Sequence, residues 1–310
     1  MKILQKVFCL FLVISLSGCV TTNRINDNNV RSVEDLTPDE IVCSEVTESQ
    51  QDNCLFYCEY FVKSENIKWA CVKVDLYEPW NIVAEPEIKN LGKKFSLNDF
   101  SQKYNTLVSI NTVPFRKEKK SFFPISIVKI NGEIISPLNE RYCALGLKKR
   151  TVQSENLSEK TIDILCASIV KNQNELFIEE FDYVFGGYFV ILEQNKVFEY
   201  EKYRNARSAI GISEDGRFLY FFGVCGVNDP FGNNGMSYEE CALVMRKLGC
   251  SSAMEFDGGH SAGLMLKNKE LIKNHIQLLF DGKDCSEFNW ISPQKYNLYK
   301  LSEPSLNNFL

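Results

Sequence analysis

Histidine is scarce in this 310-residue chain, which has two. No pair of cysteines stands in a Cys-x-x-Cys arrangement. Closely spaced thiols and imidazoles are what a structural zinc site needs, so the scarcity weighs against one, with Cys54 and Cys58 as the competing reading. There is no Walker loop, no Gly-x-Gly-x-x-Gly fingerprint and no His-Glu-x-x-His helix. Nucleotide hydrolysis, dehydrogenase chemistry and zinc proteolysis therefore lack their usual equipment. Positive charge is not in surplus either: 35 Lys and Arg face 40 Asp and Glu, for a net charge of -5. Nucleic-acid binding normally requires a basic face, so no nucleic-acid partner is expected. The one local basic cluster, Arg116, Lys117, Lys119 and Lys120, reads as a solvated loop. Gly223-Val224-Cys225-Gly226 has the outline of a nucleophile turn, but in an exported protein its cysteine reads as a disulfide partner.

Long apolar runs are confined to the start. Lys2 and Lys6 precede an apolar stretch, Val7 to Leu16, that is shorter than the ~20 residues of a membrane span. It ends in Leu16-Ser17-Gly18-Cys19, which resembles the bacterial lipoprotein box. The expectation is a signal over 1–18, a lipidated Cys19 and a flexible tether over 19–42. That tether is rich in Asn, Asp, Thr and Arg and too poor in apolar side chains to offset the entropy of ordering. Residues 43–310 then form one domain, with a core over about 69–272, exported to the cell envelope and facing the periplasm or the exterior. Of twelve cysteines, ten lie beyond Cys9 and Cys19. In an oxidising compartment most of them are expected to pair, in a connectivity that sequence does not give.

Along the chain, Trp69 to Leu76, Thr106 to Ile110 and Ile125 to Ile130 read as strands, and Ser96 opens a short helix through Tyr104. Asn131-Gly132 predicts a tight hairpin between Ile125–Ile130 and Glu133–Ile135. Further hairpins are expected between Ile162–Ile169 and Glu175–Ile178, and between Ser208–Ile212 and Arg217–Val224 across Glu214-Asp215-Gly216. The clearest helix runs from Tyr238 to Leu248. Ser237 and Glu240 make its capping box, Cys241, Val244, Met245 and Leu248 its apolar stripe, and Gly249 its stop. Many strands, few helices and no regular β-α-β alternation predict an α+β fold, a mixed and mostly antiparallel sheet with a few packed helices.

The most informative stretch is Met254-Glu255-Phe256-Asp257-Gly258-Gly259-His260-Ser261-Ala262. Ser252 to Phe256 reads as a buried strand, and alternation sends Glu255 and Asp257 to one face. Gly258 and Gly259 can adopt positive φ and expose their amides to an anion or a sugar hydroxyl. Asp-Gly is equally a hairpin signal, so a plain turn stands beside the site reading.

The order of Gly235-Met236-Ser237-Tyr238-Glu239-Glu240, a helix, and a strand into Asp257-Gly258-Gly259 resembles the phosphodiester glycosidase family. Further resemblances fall in the same order: Val74-Asp75-Leu76, Ser109-Ile110-Asn111 with Phe115, Gly186-Gly187, and Arg207-Ser208-Ala209-Ile210-Gly211. Thr112, Val113 and Pro114 depart from the small residues the family has after Asn111. Glu255 stands where Asn is common, and His260 and Ala262 stand where the family usually has Gly and Ser or Thr.

The resemblance implies a single domain of that family's kind and hydrolysis of a sugar-1-phosphodiester between the anomeric carbon and the phosphate oxygen. A phosphate ester departs readily, so the strongest requirement is a positive clamp on phosphate plus a single carboxylate, in place of the two opposed carboxyl groups of ordinary glycosidases. Arg207 is the candidate clamp. Asp257 is the base or nucleophile, with Glu255 either orienting water or an ordinary strand position. Asn111, Gly258, Gly259, His260, Ser261, Asn228 and Asp229 are candidate substrate contacts, although Asp229-Pro230 also initiates turns. No cofactor is firmly implied, and a divalent metal remains open. The partner is a carbohydrate phosphodiester or envelope glycan. The alternative is a non-catalytic glycan-binding or surface interaction lipoprotein on the same fold.

Overall fold

A computed structural model describes residues 55–62, 66–78, 80–85, 96–118, 121–153, 161–175, 178–200, 202–226, 233–267, 269–273 and 299–302. The leader, Cys19, the tether, Asn228 and Asp229 lie outside the described residues. All described residues belong to one compact unit, Arg31–Leu310.

The spine is a seven-stranded sheet in the order Leu55–Val62, Ile67–Asp75, Phe218–Val224, Arg207–Ser213, Cys250–Glu255, Val190–Glu193 and Lys196–Val197. Every neighbouring pair in it is antiparallel. Alternation along these strands gives the sheet two working faces. One face sends Ile210, Phe221 and Met254 into a core shared with Leu145 and Phe185 of a second, five-stranded sheet and with Ile110 and Leu264 of a third. The other face sends Ala209, Phe222 and Ala253 against Cys241, Val244 and Met245 of the helix Tyr238–Leu248. The architecture is α+β, mostly antiparallel strands with the helices Leu97–Tyr104 and Tyr238–Leu248 laid on them.

Local chemistry accounts for the long helix. Ser237 accepts from the Glu240 amide, Glu240 returns the bond to the Ser237 amide, and Gly249 ends the helix at φ 108°. Such a cap contributes about 1 kcal/mol. The Asn131-Gly132 hairpin forms with both residues at positive φ, and the strands Arg207–Ser213 and Phe218–Val224 pair across Gly216 as expected.

Two expectations give way. Thr161–Val170 does not pair with a strand at 175–178. Residues Gln173–Glu175 and Ile178–Glu180 form 3-10 turns, and the partner strand is Ala144–Gln153. The buried Gln173 amide, bonded to the Cys143 carbonyl at 3.0 Å and to Ser126, fixes that turn. The partner was hidden by the exposed Lys148, Lys149 and Arg150 on its solvent end. Arg116 and Lys117 lie on a strand, Phe115–Glu118, paired with Ser121–Pro124, instead of in a loop.

Candidate active site

The site lies where the Arg207 and Asp257 strands leave the sheet. Their register pairs Ala209 with Glu255, and the chain beyond keeps the same alignment, with the Phe256 amide on the Ser208 carbonyl at 2.8 Å and the Gly259 amide on the Ala206 carbonyl at 2.8 Å. Ala209 and Glu255 thus share the helix-facing side, while Asp257 stands two residues beyond the end of the strand Cys250–Glu255. Beside them the backbone of Tyr188 and Phe189 runs along Glu255, donating to its carbonyl at 2.8 Å and accepting from its amide at 2.9 Å. Gly187 makes that approach possible, since a Cβ there would stand 2.3 Å from the Glu255 carbonyl oxygen.

Asp257 is held at both ends. Its amide donates to the Thr112 carbonyl at 2.7 Å. Its carboxylate accepts from Ser261 Oγ at 2.6 Å and, in a long contact, from the Tyr188 hydroxyl at 3.5 Å. Burial raises its pKa to about 7, against the opposing pull of Ser261, Tyr188 and the Gly258 amide. Glu255 is different. It is 1% exposed, and neither carboxyl oxygen meets an N–H or O–H donor among the described residues. Burial raises its pKa to about 7 as well, opposed by the Arg207 charge and by the Cys241 thiol. Burial thus raises two acids, one at the end of the strand and one two residues beyond it, toward neutrality.

Arg207 is buried and rigid. Its Nε donates to the Met236 carbonyl at 3.0 Å and an Nη2 hydrogen to the Tyr203 carbonyl at 2.7 Å. Its Cζ lies over the Tyr238 ring, 3.8 Å from the ring centre. From Tyr238 a run of ring contacts continues through Phe189 and Tyr188 to Tyr142, with Tyr200 alongside. This aromatic wall joins the arginine to Asp257, and Phe189 in it is 38% exposed.

The other candidates sort by where their polar groups go. Asn111 is wholly buried: Nδ2 donates to the Asp257 carbonyl at 2.5 Å, and Oδ1 accepts from the Gly263 amide at 3.0 Å and from Ser208. It braces the acid's backbone in place of facing a sugar. The Gly259 amide donates to the Ala206 carbonyl at 2.8 Å and is not aimed outward. Gly259 does take the expected positive φ, 59°. Ser261 supports Asp257. His260 stands exposed on the 3-10 turn Gly259–Ser261, its pKa lowered by partial desolvation. Sequence reasoning missed Tyr188, Tyr238 as the arginine's stacking partner, and Ser208 as the Asn111 partner. Tyr188 directly follows the Gly186-Gly187 pair, which was the available signal.

Cys143, Cys166, Cys241 and Cys250 carry no disulfide. Among the described residues no group of three His, Cys, Asp or Glu forms a cluster able to hold a metal ion. A depression of about 290 Å³ lined by Cys71, Lys73, Tyr220, Lys247 and Leu248 lies at the far end of the long helix, ~16 Å of helix away from Tyr238. It contains none of the candidate groups.

The profile of the family described as Phosphodiester glycosidase matches residues 104–282, more than half of the chain. No curated protein matches in sequence. Among solved structures the chain is similar to the catalytic domain of zebrafish N-acetylglucosamine-1-phosphodiester alpha-N-acetylglucosaminidase, auto-inhibited by its pro-peptide. The TM-score is 0.54 at 13% identity, covering 85% of this chain and 82% of that one. A hypothetical protein from Synechocystis gives 0.55 at 13% identity, covering 75% of this chain; the match spans only 61% of that protein's length. A protein from Burkholderia pseudomallei K96243, titled as exported, gives 0.51 at 12% identity over 76% of this chain and 74% of that one.

Proposed function

Because the chain belongs to the phosphodiester glycosidase family, we propose that it hydrolyses a sugar-1-phosphodiester, breaking the bond between the anomeric carbon and the phosphate oxygen. The observation that supports this reading is that Glu255, buried beside the Arg207 charge, and Asp257, two residues on against Ser261 and Tyr188, both have pKa values raised to about 7 by burial. Perturbed acids beside a fixed cation are the signature of a working site. Arg207 holds the phosphate through its guanidinium charge, anchored to the Met236 and Tyr203 carbonyls. Asp257 activates water or attacks the anomeric carbon, with Ser261 and Tyr188 orienting it. Departing phosphate is already a weak base, so the clamp serves the leaving group and no strong acid is required.

A second reading has one observation in its favour. Asn111 and the Gly259 amide bond within the protein, which leaves fewer polar contacts for turnover and suits a glycan-binding protein that keeps the fold. A panel of sugar-1-phosphodiesters separates the two: sugar release, lost in Asp257→Asn, supports the hydrolase. Binding without release at every pH and with every divalent metal supports the binder.

The proposal extends to location. A lipidated Cys19 tethers residues 43–310 to a bacterial membrane in the envelope, where a carbohydrate phosphodiester or glycan is the partner. Cys19→Ala is expected to leave the membrane fraction; a variant still membrane-bound, or an intact uncleaved leader in mass spectrometry, rejects the anchor.

A further inference from the structure

We infer that an anionic group seated on Arg207 draws a proton onto Glu255, so that the site's affinity for anions falls as pH rises through and above neutrality. The inference rests on the reading of Arg207 as the anion clamp and adds a coupled partner to it. Glu255 does not reach the solvent, so it acts through Arg207 as a positioning residue.

The argument is one of charge. Among the described residues, those that interact with Glu255 are Arg207 from the neighbouring strand, Tyr238 and Cys241 from the helix, and Cys143 from the segment before Ala144–Gln153; Asp257 follows two residues beyond the strand's end. Only Arg207 is cationic. With no N–H or O–H donor on either oxygen, ionised Glu255 depends on that one charge and on a weak thiol contact. The guanidinium cannot swing toward the acid or away from it, being pinned by two backbone carbonyls and stacked on Tyr238. An anion bound to Arg207 therefore cancels the compensating charge where it stands and adds a negative charge of its own. Some acid must neutralise.

Burial already holds the Cys143, Cys241 and Tyr238 groups protonated by pushing their pKa values up. Asp257 keeps the Ser261 hydroxyl at 2.6 Å and the Tyr188 hydroxyl at 3.5 Å. Glu255 keeps none of that kind, so its pKa, about 7 in the empty site, rises first. The proton enters from solvent as the anion binds and returns when it leaves. His260 titrates below its ordinary range and stays silent above neutrality.

The test uses dimethyl phosphate and sulfate, anions that do not titrate near neutrality, with the whole chain. Calorimetry in buffers of different ionisation enthalpy is expected to show uptake of up to one proton per anion. Affinity is expected to fall by up to about tenfold per pH unit above about pH 7. Glu255→Gln and Glu255→Asn, whose folding is checked by thermal unfolding, are expected to bind without uptake and with affinity flat in pH. Uptake that persists in both variants and disappears in Asp257→Asn overturns the inference, as does an absence of anion binding at every pH. Proton-coupled binding with no sugar release from any phosphodiester sinks the hydrolase alone. Sugar release with pH-flat anion affinity sinks this inference alone.

Discussion

Two buried acids touch the same helix and are treated in opposite ways. Glu240, in its first turn, accepts from Arg204 Nε at 3.1 and 3.0 Å and again from Nη2, while also closing the capping box with Ser237. Glu255, packed under the same helix beside Cys241, has no such donor. Glu240 ties the Arg204 segment to the helix and so fixes Tyr203 and Asn205, which flank the site. A satisfied acid builds the frame, and an unsatisfied one inside it marks where free energy has been kept for a ligand.

The sharpest way to break that contrast is at the unsatisfied end. Asp257→Asn keeps the shape and removes the charge, so sugar release should fall by roughly 10²–10⁴-fold while substrate binding survives. Steady-state kinetics with an equilibrium binding measurement checks both halves. Normal turnover in this variant would move the chemistry to another group.

Next in size is the pH dependence of stability. Both acids bind protons more tightly in the folded state, with pKa values of about 7. The folded chain therefore holds more protons than the unfolded one between about pH 4 and 7, and stability from these groups is lost as pH rises across that window. Each contributes on the order of 3 kcal/mol over it. Other groups titrate too, so the difference between variant and parent is the quantity to read. Glu255→Gln should gain on the parent from about pH 4.5 up to about 7 and hold that gain above. Denaturant unfolding at a series of pH values measures this, and a difference that does not change with pH would place Glu255 in contact with a donor.

Much of the frame was legible in the sequence because its signals are local. Ser237, Glu240 and Gly249 announce the helix ends within the helix itself, and Asn131-Gly132 and Gly216 announce their turns through backbone geometry that few other residues adopt. The buried strand leading to Glu255 was legible from its apolar run. What was not legible depends on distant chain. Asn111 looked like a sugar contact at a strand's end, and only the arrival of Asp257, Ser208 and Gly263 from far along the sequence uses up its amide. Tyr238 carried no signal of its own and Tyr188 only the glycine pair before it, since an aromatic residue near a glycine pair or at a helix start is ordinary core. The strand Ala144–Gln153 hid behind its lysines because one end of it faces water.

At the satisfied end of the comparison the effect is on folding. Glu240→Ala removes the bidentate partner of Arg204 and the return half of the capping box together. A loss of about 2 kcal/mol is expected, with Arg204 partly exposed and able to find water. The denaturant midpoint should shift and the slope should not. Proton uptake on anion binding should be unchanged in this variant if the two acids do separate jobs.

The smallest expected effect tests whether the aromatic wall belongs to the frame or to the site. Phe189 is packed against Tyr188, Tyr200 and Tyr238 and yet remains 38% exposed. It lies on the chain segment hydrogen-bonded to Glu255, between the tyrosine that reaches Asp257 and the one that carries Arg207. An exposed ring there offers a flat apolar face to whatever bridges acid and arginine, and the apolar face of a sugar ring is the part of the proposed substrate with nothing else to meet. Phe189→Ala should raise KM by roughly 3- to 10-fold, about 1 kcal/mol of binding, with kcat little changed. Phe189→Tyr, which keeps the ring, should restore it. A KM unchanged in the alanine variant, together with a loss of thermal stability, would assign Phe189 to the frame and leave the sugar to be held by polar contacts alone.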